Sequence, residues 1–390
     1  MFVQTRVSAA QVAIVFSLTC WAAACGDAPQ PRDEPTSPGE VGDAGVTRAA
    51  DRDAASPGTD DDASRPGRGQ PDAGGVPPRN VDAGRDGRDA ASGSPPDAQS
   101  AGSDASAGAT RDDILVPAQG ALLGMFFGAD RLAATETKLG RKVPVHLTYV
   151  AWNDDWPNQV AQPDIAANRT PLINLEPSDA KLADLIDGKY DAMLTKHAKN
   201  VQGLQKKLFL DFAAEMNGNW STWDGSHNGK SSAVYIAAYR HLHDVMVAGG
   251  ATNIVWVWCP NVESEPQAAW NEALAYYPGD AYVDWTCVDG YNWGTTNGSG
   301  WQSFERVFSA IYAELATKGK PIMIGEMAST EEGGDKAAFI AGIVPALHKF
   351  PLIKSLVWFD IDKETDWRIS SSPGSEAAFV KMASDPYFNP

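Results

Sequence analysis

Eight short, nearly unbroken apolar runs, each followed by residues with helical signals, constrain this chain more than any other feature of its sequence. They are Leu122 to Phe127, Val143 to Ala151, Pro171 to Glu176, Leu208 to Glu215, Ile254 to Pro260, Val283 to Asn292, Pro321 to Met327 and Leu356 to Asp360. Such runs suit parallel strands buried on both faces, whereas a half-solvated antiparallel sheet would alternate apolar and polar positions. Two helices between them are sharply marked. Ser231 and Ser232 can cap one that runs through Tyr235, Tyr239, Leu242 and Met246 until Gly249-Gly250 stops it. Phe304, Val307, Phe308, Ile311 and Leu315 form one apolar stripe that closes before Gly319. Eight strand-then-helix units predict an α/β fold, a (β/α)8 TIM barrel. A doubly wound open sheet is disfavoured because no Gly-x-Gly-x-x-Gly follows the first run.

All eight runs lie beyond residue 120, and the chain upstream is of another kind. Residues 26–112 contain no Trp, Phe, Tyr, Leu, Ile or Met, and they hold eleven prolines with 17 acidic against 9 basic side chains. Ordering such a stretch costs roughly 1 to 2 kcal/mol per residue with almost no apolar burial to offset it. It is expected to be a disordered linker, leaving 113–390 as the folded domain. Residues 1–25 read as an export signal: Arg6, then an apolar run from Val12 to Phe16, then Ala22-Ala23-Ala24-Cys25. The last four residues resemble a bacterial lipobox, which would make Cys25 the lipidated first residue of a surface-anchored protein. An ordinary secretory signal cut near Ala24 is the alternative. Both place the protein outside the cytoplasm, at the cell envelope or beyond it.

The formal net charge of −18 argues against a nucleic-acid partner, because a phosphate backbone needs a basic surface. Within the predicted barrel Cys259 and Cys287 are the remaining cysteines, and they read equally as a disulfide or as two buried thiols. No metal site is expected: there is no Cys-x-x-Cys, and His241 and His243 stand two apart on a helix and face different directions.

In a barrel of this kind the site is built at the carboxyl ends of the strands. The fourth run ends in Glu215-Met216-Asn217-Gly218-Asn219-Trp220, and the seventh carries Gly325-Glu326-Met327. A carboxylate placed straight after an apolar strand is costly unless it has partners or a task. Two of them facing each other are the equipment of glycoside hydrolysis with retention. Here the sequence resembles the catalytic barrel of glycoside hydrolase family 26, on Glu215 to Gly218 with Trp220 and Trp223, on Asp289-Gly290-Tyr291-Asn292-Trp293, on Pro321 through Glu326, and on Trp358-Phe359-Asp360. The resemblance implies a retaining endo-β-glycanase with Glu215 as acid/base and Glu326 as nucleophile. It implies Tyr291 bonded to the nucleophile, Trp358 as the floor under the cleaved sugar and Trp220 beside it. The family commonly has His directly before its acid/base, and this chain has Ala214.

The remaining strand-end candidates for sugar contact are Glu176, Asn261, Trp293 and Asp360, while Asp366-Trp367-Arg368 either closes the cleft or caps the barrel. The expected partner is a polysaccharide, β-1,4-mannan first and a β-1,3-1,4-glucan second. A non-catalytic surface glycan-binding protein is a further alternative, and the membrane is a partner only through Cys25. No cofactor is expected, since two carboxyl groups can carry both proton transfers and the covalent step. If the linker reading holds, a chain starting near Asp112 stays folded and keeps the full protein's activity. Limited proteolysis should then yield a resistant fragment starting after about residue 100; one starting well before it would count against the linker.

Overall fold

The computed structural model describes residues 114–128 and 131–389; the export segment with Cys25 and the linker 26–112 lie outside the described residues. Eight parallel strands close into a barrel in sequence order, β1 returning to pair with β8. They are β1 Leu122–Phe127, β2 Val145–Ala151, β3 Thr170–Glu176, β4 Leu208–Phe212, β5 Ile254–Trp258, β6 Trp285–Asn292, β7 Ile322–Ser329 and β8 Ile353–Asp360. The helices are α1 Leu132–Leu139, α2 Asn158–Ala166, α3 Leu182–Ile186, α4 Asp191–Leu204, α5 Ala233–Ala248, α6 Phe304–Ala316, α7 Lys336–Ala341, α8 Ile343–Leu347 and α9 Pro373–Ala383.

The strands split their side chains between two apolar layers. Val145, Leu147, Leu172, Phe209, Val255, Val257, Trp285, Met323 and Val357 fill the barrel interior. Ile173, Leu175, Leu210, Trp256, Trp258, Ile324, Leu356 and Trp358 point the other way, into the layer beneath the helices. Each side chain so buried contributes about 1.5 to 3 kcal/mol. Ile114 and Val116 close the bottom of the interior, and the Trp285 indole donates to the Ile114 carbonyl at 2.6 Å. Cys259 and Cys287, neighbours across β5 and β6, form a disulfide with Cα atoms 4.2 Å apart.

Two expectations need correction. The fifth strand is followed by no α-helix: the stretch between Pro266 and Pro278 folds as 3-10 turns at Ala269–Asn271 and Ala273–Tyr276. The fourth strand ends at Phe212 instead of Glu215, because Ala213 and Glu215 take left-handed backbone angles, φ 53° and 57°. That conformation is costly for residues with a Cβ. Hydrogen bonds from Ala213 N to the Leu175 carbonyl (3.1 Å) and from Glu215 N to the Cys259 carbonyl (2.8 Å) pin it on both sides.

The loop from β8 to α9 is held from below by Lys336, a fully buried lysine on α7. Its ammonium donates to the carbonyls of Asp366 (2.8 Å) and Arg368 (3.0 Å) and to Ser371 Oγ (2.7 Å). Burial pulls its pKa down to about 8 against the attraction of Glu331, Asp366 and Asp360. Removing the ammonium strands three buried acceptors, so Lys336→Met should lower stability by about 2 to 4 kcal/mol in urea denaturation.

Candidate active site

Both glutamates stand at the carboxyl-terminal mouth, and each is held by two side-chain hydrogen bonds. Glu215 Oε1 accepts from Asn261 Nδ2 at 2.5 Å and Oε2 accepts from the Trp220 indole at 2.9 Å. Asn261 is aimed by Asn217, whose Oδ1 takes the Asn261 N–H (2.8 Å) and whose Nδ2 donates to the Asn261 carbonyl (3.0 Å). Asn217 is itself fully buried, and its carbonyl accepts from Asn271. Trp220 is 46% exposed, so the group that bonds Glu215 also lines open space beside it.

Glu326 reaches the mouth through an irregularity in β7. The pairing with β6 runs Val288 to Ile324 and then Asp289 to Glu326, leaving Gly325 as an extra residue in a bulge. One extra residue exchanges the faces of everything beyond it. Met323 points inward, and without the bulge Glu326 would point outward into the helix layer. A Cβ on Gly325 would lie 2.6 Å from Cys287 Sγ and 2.8 Å from Asp289 Oδ1, so only glycine fits there. Turned inward, Glu326 accepts a bond from Tyr291 OH on Oε2 at 2.6 Å and another from Tyr149 OH on Oε1.

The two carboxyl groups are electrostatically unequal. Burial and the charge of Glu326 push Glu215 up to about 7, with Asn261 and Trp220 opposing the shift. Burial also raises Glu326, but Tyr149 and Tyr291 both donate to its ionised form and hold it back. Glu215 is therefore the carboxyl group raised to near neutrality, and Glu326 the one whose ionised form two phenols favour. Lys363, in the loop after β8, favours the ionised form of both. Below them Asp211 and Asp289 are buried, and burial raises both well above the ordinary carboxylate range. Asp211, Cys259 and Cys287 come within 4.8 Å of one another, but the bonded sulfurs leave no thiolate to hold an ion.

The other predicted residues divide. Tyr291, Asn261 and Trp220 meet at the glutamates, and Glu176 ends β3 at the same mouth. Trp293 packs behind Tyr291, with ring centroids 6.0 Å apart, and edge-on against Trp367 at 4.9 Å. Trp358 is not the floor of the cleft. It is fully buried in the outer layer, edge-on to Phe379 of α9, with its indole on the Trp367 carbonyl at 3.0 Å. Its neighbour Phe359 takes the inward place, 4.9 Å from the Phe126 ring and 5.8 Å from that of Tyr291. Asp360 is not a cleft residue either, since it points outward, accepts from Ile369 N at 2.6 Å and pairs with Arg131 at 3.0 Å. Sequence reasoning missed Tyr149, although its place two residues after the inward Leu147 on β2 is the signal that finds it.

A parallel eight-stranded barrel with two glutamates at the ends of strands four and seven has the carboxyl pair that glycoside hydrolysis requires, at the place where such barrels build their sites. Residues 155–343, from the turn after β2 to the start of α8, match the model of Glycosyl hydrolase family 26. The chain is 39% identical to Endoglucanase H of Acetivibrio thermocellus over 247 residues, 62% of this chain and 27% of that protein. It is 26% identical to a mannan endo-1,4-beta-mannosidase of Bacillus subtilis over 225 residues, 54% of this chain and 55% of the relative. The chain thus spans about a quarter and about half of the lengths of these relatives. A solved GH26 β-mannanase from Bacteroides ovatus shares the fold, with a TM-score of 0.54 at 17% identity over 69% of this chain and 90% of that one.

Each tyrosine hydroxyl stabilises ionised Glu326, so removing one raises the pKa of that carboxyl. Tyr149→Phe and Tyr291→Phe should each move the Glu326 titration to higher pH, and the double variant furthest, read by 13C NMR of the labelled carboxyl. An unmoved titration would show that these bonds do not set its charge.

Proposed function

We propose that this protein is a retaining endo-β-glycanase. The observation that carries the reading is the unequal holding of the two glutamates: an indole and an amide donate to Glu215, and two phenols donate to Glu326. Glu326 attacks the anomeric carbon while Glu215 gives its proton to the departing glycosidic oxygen, and a glycosyl ester forms on Glu326. Glu215, now ionised, takes a proton from water, which attacks the same carbon and frees Glu326. An acid with a pKa near 7 suits both halves, because it must hold a proton in one and lack it in the other.

For the sugar we infer a β-glucan ahead of the β-mannan that motif resemblance ranks first. Two observations support this order. The relative at 39% identity is named an endoglucanase, while those named mannosidases stand at 26 and 27%. Ala214, against whose carbonyl the Trp223 indole is bonded, places a methyl group where the family commonly has an imidazole. Export and a lipid anchor at Cys25 complete the proposal on the sequence of residues 1–25 alone.

Rates on mixed-linkage β-glucan and on β-mannan rank the two sugars. The roles of the glutamates are tested separately. Glu326→Ala should be inactive on every substrate. Glu215→Ala should keep its first step on an aryl glycoside with a good leaving group, and azide should restore turnover by replacing water that has lost its base. The product should be a β-glycosyl azide. An α product, or two variants equally dead on the activated substrate, would refute retention or the assignment of roles.

A further inference from the structure

A third glutamate faces the same mouth without a hydrogen-bond donor among the described residues. Glu176 is the last residue of β3, in register with Ala151 at the end of β2. Along β3 Leu172 lies in the interior layer and Ile173 and Leu175 in the outer one, so the alternation turns Glu176 inward, above Asn174. Asn174 is paired in register with Tyr149, which bonds Glu326, so Glu176 stands one layer above that tyrosine. The side chain is half-buried. Its surroundings differ from those of the other two glutamates in one respect. Glu215 and Glu326 each accept two side-chain hydrogen bonds, whereas Glu176 receives none from any described residue.

A half-buried carboxyl group with no donor is destabilising for the free protein, and the attraction of Lys363 offsets only part of that loss. It is offset when a ligand supplies hydroxyl groups. We propose that Glu176 is a specificity-determining residue of the glycanase cleft, binding hydroxyls of the sugar unit that lies over Glu326 and selecting an uncharged sugar at that position. An anionic sugar such as a uronate would bring a further negative charge among Glu176, Glu215 and Glu326. The electrostatics agree, since burial and the charge of Glu326 raise Glu176 to about 7 while Lys363 opposes the shift. Near neutrality the group is thus both donor and acceptor, as a sugar hydroxyl is.

This inference rests on the glycanase reading, and the test separates the two. The parent is the full chain with Glu326→Gln, which binds without turnover, and the probes are a linear mixed-linkage β-1,3-1,4-gluco-tetrasaccharide and a β-1,4-manno-tetrasaccharide measured by calorimetric titration. Adding Glu176→Ala should weaken the tighter-binding sugar at least tenfold, while Glu176→Gln, which keeps a donor and an acceptor, should stay within about threefold. The thermal midpoint of Glu176→Ala should be equal to or above that of its parent, because no protein hydrogen bond is lost. Affinity of Glu176→Ala within twofold of the parent, or a loss of affinity accompanied by a lowered midpoint, would overturn the proposal. If neither sugar binds the parent, the glycanase reading itself fails and takes this inference with it.

Discussion

One extra residue in β7 decides what this barrel can do. A closed parallel sheet imposes strict alternation, so each strand offers the mouth only every second side chain. The bulge at Gly325 breaks the alternation once, and Glu326 turns from the helix layer to the barrel axis. The space the bulge needs is taken by the Cys259–Cys287 disulfide and Asp289, which leave no room for a Cβ. On β4 the corresponding break is made in the backbone angles, where Ala213 and Glu215 are left-handed and pinned to β3 and β5. Both glutamates thus depend on local irregularities that the regular barrel around them holds in place.

The same barrel makes the electrostatics of the mouth. Glu176, Glu215 and Glu326 share one rim above Asp211 and Asp289, and burial raises all five. Like charges so close cannot all ionise together, so the hydrogen-bond donors decide which of them does. Two phenols at Glu326, against an amide and an indole at Glu215, bias the shared charge toward Glu326. The donors come from β2 and β6 on one side and from the segments after β4 and β5 on the other, so the bias is a property of the whole barrel.

Much of this was legible in the sequence. Counting apolar runs gives the barrel, and the rule that its site lies at strand ends leads to Glu215 and Glu326. What the sequence hides is the facing of residues inside the runs. Where both faces of a strand are apolar, no alternation shows which way Trp358 or Asp360 points, and a bulge such as that at Gly325 leaves only a glycine as its trace. Trp358 therefore looked like a sugar platform although Phe359 holds the inward place, and Tyr149 passed as an ordinary strand residue.

The loop after β8 connects stability to this site. Lys336 fixes the carbonyls of Asp366 and Arg368 from below, and Trp367 between them is fully enclosed. The Trp367 ring lies 5.0 Å from that of Tyr291, its carbonyl accepts from Trp358, and its indole donates to Glu364, which pairs with Lys363 at 2.7 Å. Tyr291 is thus backed by a tryptophan whose place is set by a buried ammonium on α7, and the cation that favours ionised Glu326 is carried on the same loop. A phenol free to swing would share its hydrogen bond with water, and one packed against a fixed indole keeps it on Glu326. Tyr291, which favours the anion of this glutamate by contact from that side, is therefore backed by an anchor remote from the chemistry.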